Sequence, residues 1–364
     1  ESKTGGYALN ERVQLATGDI VRSTIASNVN NPNVDMTGWG FDDNTVESIA
    51  DLIVIQNPKD GQTVYVKNKQ GQNFFSYDPS KSSVNNGVTI FNGWVRIIEN
   101  NTYTPQMAGC VCDGVVDDGA NLEKLMFHLE SSEISGTVVF DSDTYINTLS
   151  PATGKQQYQT SAKTGIRLVS NVNLEIKPSV TVSFGDIFHN SQTSILNAMY
   201  KLSADDWYGT GQNKNIKIFG GGTLDFTRTG GMGTQYWGNR YAIHLGSTLD
   251  FEVFNLTLKG GCFSNTIAGS KWGDSQNIHN CTFEDNFTDS GIHNEDHSTV
   301  YLVADNSNCY NNKFKQTSIS SKVIACTCEL HRNNQRYHGN IIDGYCSAVY
   351  LTAMEAAWEK KKKK

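Results

Sequence analysis

Four eight-residue segments of the chain, FEVFNLTL (251–258), QNIHNCTF (276–283), SNCYNNKF (307–314) and QRYHGNII (335–342), superpose without a gap. They align Val253, Ile278, Cys309 and Tyr337 in one column. Asn255, Asn280, Asn311 and Gly339 form a second, and Leu258, Phe283, Phe314 and Ile342 a third. Successive copies start 25, 31 and 28 residues apart. Repeats of this period, each mostly strand, mean a solenoid. The unequal insertions argue against a propeller, and no helix recurs to build a leucine-rich horseshoe. What remains is a parallel β-helix whose coils stack ~4.8 Å apart. The Asn column is expected to hydrogen-bond from rung to rung while adopting the left-handed backbone of a turn. Looser copies stand upstream at 171–184 and 213–226.

A solenoid end leaves strand edges unpaired and needs a cap. Residues 113–130 supply one: Leu122, Leu125, Met126 and Leu129 recur with helical spacing behind Asp117 and Asp118, the candidate N-caps. This is the one convincing helix. Residues 5–39 read as hairpins broken at Thr17-Gly18-Asp19 and Asn30-Asn31-Pro32, and residues 48–98 as strands separated by Asp-Gly, Gln-Gly and Asn-Gly turns. The expected division is an N-terminal β-rich module over 1–105, a capping segment over 106–133, the parallel β-helix over 134–358, and a lysine-rich tail over 359–364 that reads as a tag or artefact.

The net charge of −7 and the lack of a basic stripe before the last residues exclude nucleic acid as a partner. No apolar run reaches the ~20 residues a membrane span requires. Of the eight cysteines, Cys281 and Cys309 sit in strands, while Cys110/Cys112 and Cys326/Cys328 form C-x-C pairs without metal spacing. They read as small buried thiols, which suits synthesis in a reducing compartment. No metal or cofactor site is expected.

MAGCVCDGVVDDGANLEKLM (107–126), followed by GTVVFDSDTYINT (136–148), resembles the opening signature of pectate-lyase-like right-handed β-helices. Ala108, Cys110, Cys112 and Gly119 depart from that pattern, whereas Asp113-Gly114 and Asp117-Asp118 keep it. The 5–98 module is similar to the segment joining head-binding region to β-helix in bacteriophage tailspikes, most closely those of phages infecting encapsulated Gram-negative bacteria such as Acinetobacter. That resemblance implies an all-β, homotrimeric virion protein, made in the host cytoplasm and attached to the phage tail or baseplate through a head before residue 1. It implies a spike that binds, and usually depolymerises, capsular polysaccharide or lipopolysaccharide O-antigen at the cell surface. Endo-glycoside hydrolysis is the leading expectation. A lyase, a non-catalytic receptor-binding spike and a pectinase-like cellular enzyme are the alternatives, the last opposed by the 5–98 module.

Candidate site residues follow from the repeat alignment. Glu329 falls in the column of Tyr301, with Leu330 over Leu302 and His331 over Val303, so alternation sends Leu330 inward and Glu329 with His331 outward. An outward carboxylate and imidazole form a candidate catalytic face, against the plainer reading of a solvated strand or an intersubunit ion pair. Glu295 and Asp296, flanked by His293 and His297, occupy an insertion that leads into the Tyr301 strand. Hydrolysis needs two carboxyls, and a loop carboxylate could partner Glu329. His331, with Arg332 or Tyr301, could instead serve in a β-eliminating site for uronate-containing polymers. Tyr236, Trp237 and Trp272 are candidate sugar platforms, and equally packing residues. His244, aligned with Gly269, reads as a strand residue. Asp274 and Asp305 read as turn formers.

Overall fold

The computed structural model describes the chain except residues 1–4, 9–10, 17–19, 24, 36, 42–44, 68–72, 150–163, 189–193, 199–211, 230–240, 289–297, 318–325, 345–348 and 352–364. It falls into two units, 1–99 and 100–364.

The first unit holds two small sheets. Arg12–Gln14, Ile20–Ser23 and Trp39–Phe41 pair antiparallel around Tyr7, Val21 and Trp39. Thr45–Val46, Thr63–Val66, Phe74–Tyr77, Trp94–Arg96 and Ile90–Phe91 lie side by side in that spatial order. The last two join across Asn92-Gly93, both at positive φ, as a two-residue hairpin requires. Leu52, Val64, Val66, Phe75, Phe91 and Trp94 form the core beneath this sheet. One expectation fails here. Ile49–Ile53, read as strand, is a short helix, because the Ser48 hydroxyl accepts from the Asp51 N–H and fixes a helical first turn.

In the second unit three parallel sheets wind into a right-handed β-helix. The first sheet contains Thr102–Tyr103, Gly136–Phe140, Val172–Ile176, Lys214–Phe219, Leu249–Phe254, Asp274–His279, Asn308–Tyr310 and Arg336–His338. The second runs from Thr144–Ile146 through Thr181–Phe184, Thr223–Asp225, Thr257–Lys259, Thr282–Glu284 and Lys313–Lys315 to Ile341–Asp343. The third stacks Ile166–Arg167, Leu196–Asn197, Tyr241–Gly246, Asn265–Gly269, Ser298–Leu302, Cys326–Leu330 and Val349–Leu351. The repeat register holds residue for residue: Val253 pairs with Ile278, Ile278 with Cys309, and Cys309 with Tyr337. Inside, Phe283 stacks on Phe314 with centroids 4.8 Å apart and planes 6° apart. Each such buried side chain contributes roughly 1.5–3 kcal/mol of apolar burial.

The two jobs assigned to the Asn column are divided between neighbouring positions. Asn255, Asn280, Asn311 and Gly339 do supply the left-handed turn, with φ of 52°, 53°, 54° and 65°. The rung-to-rung amide bonds come from the next residue. Asn312, 1% exposed, donates to Ile278 O at 3.0 Å and accepts from the Cys281 N–H at 2.9 Å, and Asn340 donates to Cys309 O at 3.0 Å. A second ladder of left-handed residues opens the first-sheet strands, where Asn215 donates to Asn171 and Asn334 to Asn306.

The helix spans Gly119–Ser131 and buries Leu122, Leu125, Met126 and Leu129. Its acidic pair acts differently from expectation. Asp117 accepts the Gly119 N–H at 3.0 Å, whereas the buried Asp118 accepts from Val111 and Cys112 and so ties down the preceding loop. Arg167 of the third sheet, 2% exposed, forms ion pairs with Glu123 and Glu130 of this helix. The helix is thereby fastened to the first coil. Cys110, Cys112, Cys281, Cys309 and Cys328 are free thiols, four of them buried.

Candidate active site

The third sheet presents one outward column: Arg167, Asn197, His244, Ala268, Tyr301 and Glu329, each in register with the next. Pairing of Tyr301 with Glu329 and of Leu302 with Leu330 is the register expected from the repeat. His244, however, pairs with Ala268 and not Gly269, because an irregularity between His244 and Gly246 absorbs one residue. That places His244 on the same face as Tyr301 and Glu329.

Glu329 and His331 stand two residues apart on one strand edge, so alternation puts both on this face. His331 Nε2 lies 3.0 Å from Glu329 Oε2, and the His331 ring sits 4.7 Å from that of Tyr301. The plainer reading, a solvated strand face, does not hold: Glu329 is 1% exposed and His331 6%. Among the described residues Glu329 Oε1 is buried with no hydrogen-bond partner. An unsatisfied buried carboxylate oxygen carries a desolvation penalty of about 1–3 kcal/mol or more, which a fold with no use for it would shed.

Further down the column Tyr241 stacks on His244 with centroids 4.9 Å apart. Burial raises the Tyr241 phenol above its ordinary pKa, and the nearby Tyr301 adds to the shift. Burial also lowers His244 to about 4, so this imidazole is neutral at pH 7 and can both donate and accept. Tyr241 has no place in the sequence reading, and His244 reads there only as a strand residue. The repeat alignment contained the signal, since one residue of register separates His244 from the Tyr301 column.

Arg332 and Trp272 occupy the corner that follows the third-sheet strand, two coils apart. Arg332 is half-buried, its N–H held by Gln335 Oε1 at 2.8 Å. Lys271 Nζ lies 4.2 Å from the Trp272 ring, which occupies one face of that candidate platform. Asp274 and Asp305 form a bridged turn pair, as expected. Glu295, Asp296, His293, His297, Tyr236 and Trp237 lie outside the described residues. Among the described residues no group of three or more His, Cys, Asp or Glu side chains gathers in a metal-binding arrangement.

A second Glu–His pair, unforeseen from the sequence, lies on the first sheet. His279 Nε2 is 2.8 Å from Glu252 Oε1, His279 Nδ1 is 3.0 Å from Asn280 Nδ2, and Lys217 pairs with Glu252 at 2.8 Å. The pair is threaded by a column of stacked rings, Phe219, Phe254, His279, Tyr310 and His338, with centroids 4.6–5.1 Å apart and planes within 11°. Ring faces covered by the next ring present only edges to solvent, so this column is a stabilising stack and not a sugar platform.

Comparison with known proteins agrees with both units. Residues 45–99 match the family described as phage tail protein small four-stranded beta-sheet domain. No curated protein matches the sequence. Solved structures of the tailspike protein of E. coli bacteriophage HK620 in complex with a pentasaccharide are similar in fold. One matches at 20% identity and a TM-score of 0.58 over 83% of this chain and 47% of that one. A substituted form matches at 23% identity and a TM-score of 0.52 over 65% and 38%. The chain thus spans less than half the length of these relatives. Residues 45–99 thus resemble a phage tail domain, and the right-handed parallel β-helix that follows them shares the fold of these tailspikes.

Proposed function

We propose that this chain belongs to a phage tailspike that binds and depolymerises bacterial capsular or O-antigen polysaccharide by endo-glycoside hydrolysis, with Glu329 and Asp296 as the working carboxyls. The observation that carries the reading is the Glu329–His331 pair. It is buried on an outward sheet face, with one carboxylate oxygen engaged and the other without a partner among the described residues. A substrate glycosidic oxygen is the kind of group that would complete it.

A doubly substituted HK620 tailspike supports the assignment of the partner. Its exchanged residues are an aspartate and, 33 positions later, a glutamate, the order and spacing of Asp296 and Glu329 here. In the proposed reaction the Glu329 carboxyl gives its proton to the leaving oxygen as the C1–O bond breaks. Asp296 takes a proton from attacking water, or attacks C1 and is later released by water. His331 holds Glu329 Oε2, which fixes the orientation of the other oxygen. Trimer formation and attachment to the tail through a preceding head belong to the same proposal.

The test is incubation of the protein with purified capsule from a susceptible host, following polymer length by size-exclusion chromatography. Shortening without an unsaturated-uronate absorbance, abolished in Glu329→Gln, is the expected result. An ultraviolet signal from the products would replace hydrolysis by β-elimination. Unshortened polymer that still binds would leave an adhesive spike.

A further inference from the structure

The second sheet carries a polar cleft of about 210 Å³ that is separate from the Glu329 face, three coils away and on another sheet. It is lined by Gly114, Asp143, Thr181, Ser183, Asp225 and Arg228, with Phe184 beneath. Register explains the hollow. Tyr145, Ser183 and Asp225 follow one another in the outward column, so a small serine floors the gap between two larger residues. Those two are two rungs, or ~9.6 Å, apart. Arg228 reaches back across this floor, its guanidinium 5.4 Å from the Tyr145 ring centroid.

The polar groups are fixed but not consumed. Asp143 Oδ1 accepts the Thr181 N–H and Asp225 Oδ1 the Thr227 N–H, each at 2.8 Å. Among the described residues the Arg228 guanidinium has no hydrogen-bond acceptor or ion pair. It stands beside two carboxylates without closing on either. A hollow whose lining combines a guanidinium with two carboxylates matches vicinal hydroxyls, which donate to a carboxylate and accept from a guanidinium. The excess of two carboxylates over one cation disfavours an anionic sugar.

We infer that this cleft is a second carbohydrate site, taking one uncharged pyranose ring through adjacent hydroxyls held between Asp225, Asp143 and Arg228. It is independent of the hydrolytic reading, because no residue of the cleft belongs to the Glu329 cluster.

The experiment is saturation-transfer NMR on the full chain with methyl galactopyranoside, methyl glucopyranoside and, as the anionic control, methyl galacturonide. The neutral glycosides are expected to receive saturation and the galacturonide to receive little. Arg228→Ala and Ser183→Trp, which empties the fork and fills the floor respectively, are expected to weaken the neutral signals about tenfold, the loss of a charge-assisted hydrogen bond. Glu329→Gln is expected to leave them unchanged. Thermal melting of both cleft variants confirms that they fold, since neither position faces the lumen. Absent transfer to the neutral glycosides, transfer unaffected by both cleft substitutions, or transfer lost only in Glu329→Gln would each overturn the assignment. Cleavage of capsule by any variant bears on the hydrolytic reading alone.

Discussion

The two Glu–His pairs of the β-helix use the same residue types for different ends. Glu252 and His279 come from adjacent coils, and every polar atom that matters is occupied: both imidazole nitrogens are engaged, and Lys217 shares the carboxylate. Burial by itself would raise the Glu252 pKa, but hydrogen bonds and charge from Lys217 and His279 outweigh it and leave the group below the ordinary carboxylate value. Glu329 and His331 come from one strand and the residue just after it and are more deeply buried, yet among the described residues one carboxylate oxygen has no partner. A saturated pair is a fastening. An unsaturated one has capacity left for a substrate.

The sharpest way to break this comparison is through activity. Glu329→Gln keeps size and hydrogen-bonding shape while removing the proton, and is expected to slow capsule shortening by about 10²–10⁴-fold, the usual contribution of a general acid. Glu252→Gln should leave the rate unchanged. Equal losses in both variants would erase the distinction.

Stability gives the next largest contrast. His331→Ala removes the hydrogen-bond partner of a carboxyl group whose side chain is 1% exposed, a change expected to cost about 1–3 kcal/mol. His279→Ala leaves Glu252 with Lys217 and partial solvation, so its denaturation midpoint should fall by much less. Chemical denaturation of both variants measures the difference. For reference, Asn312→Ala removes a buried amide that joins two coils, and about 1–3 kcal/mol is expected from the carbonyl and N–H left unmade.

pH dependence gives the last contrast. Burial lowers the folded His244 to about 4, against about 6.5 for an unburied imidazole, so between these the unfolded chain binds the extra proton. Stability should therefore decline as pH falls from about 6.5 to about 4, and His244→Gln should flatten that part of the profile. Glu252, with a depressed folded pKa, contributes stability that is present above its unfolded value and lost as pH falls through the folded one. Glu252→Gln should consequently soften acid unfolding in a lower window, and melting curves across pH separate the two.

Much of the architecture was legible because a parallel solenoid maps sequence period onto space. Val253, Ile278, Cys309 and Tyr337 could be stacked on paper since successive coils pair in register, and the capping helix announced itself by Leu122, Leu125, Met126 and Leu129. The same alignment identified Glu329 above Tyr301. It misplaced His244 by one residue, because a bulge changes register without altering composition. It also credited Asn311 with the ladder that Asn312 makes, since two adjacent asparagines differ only in which one turns and which one is buried.

The sequence by itself determined the coil, its period, the identity of its inward columns and the presence of Glu329 and His331 on one outward edge. These follow from local alternation and from repetition, which need no knowledge of distant contacts. Only the tertiary structure decided that this edge is buried, that His331 takes one carboxylate oxygen and leaves the other, and that Glu252 and His279 meet across coils with Lys217 beside them. Arg228 over Ser183 is of the same kind. Burial and hydrogen-bond saturation depend on what packs against a side chain from other coils, and no pattern confined to one strand records it.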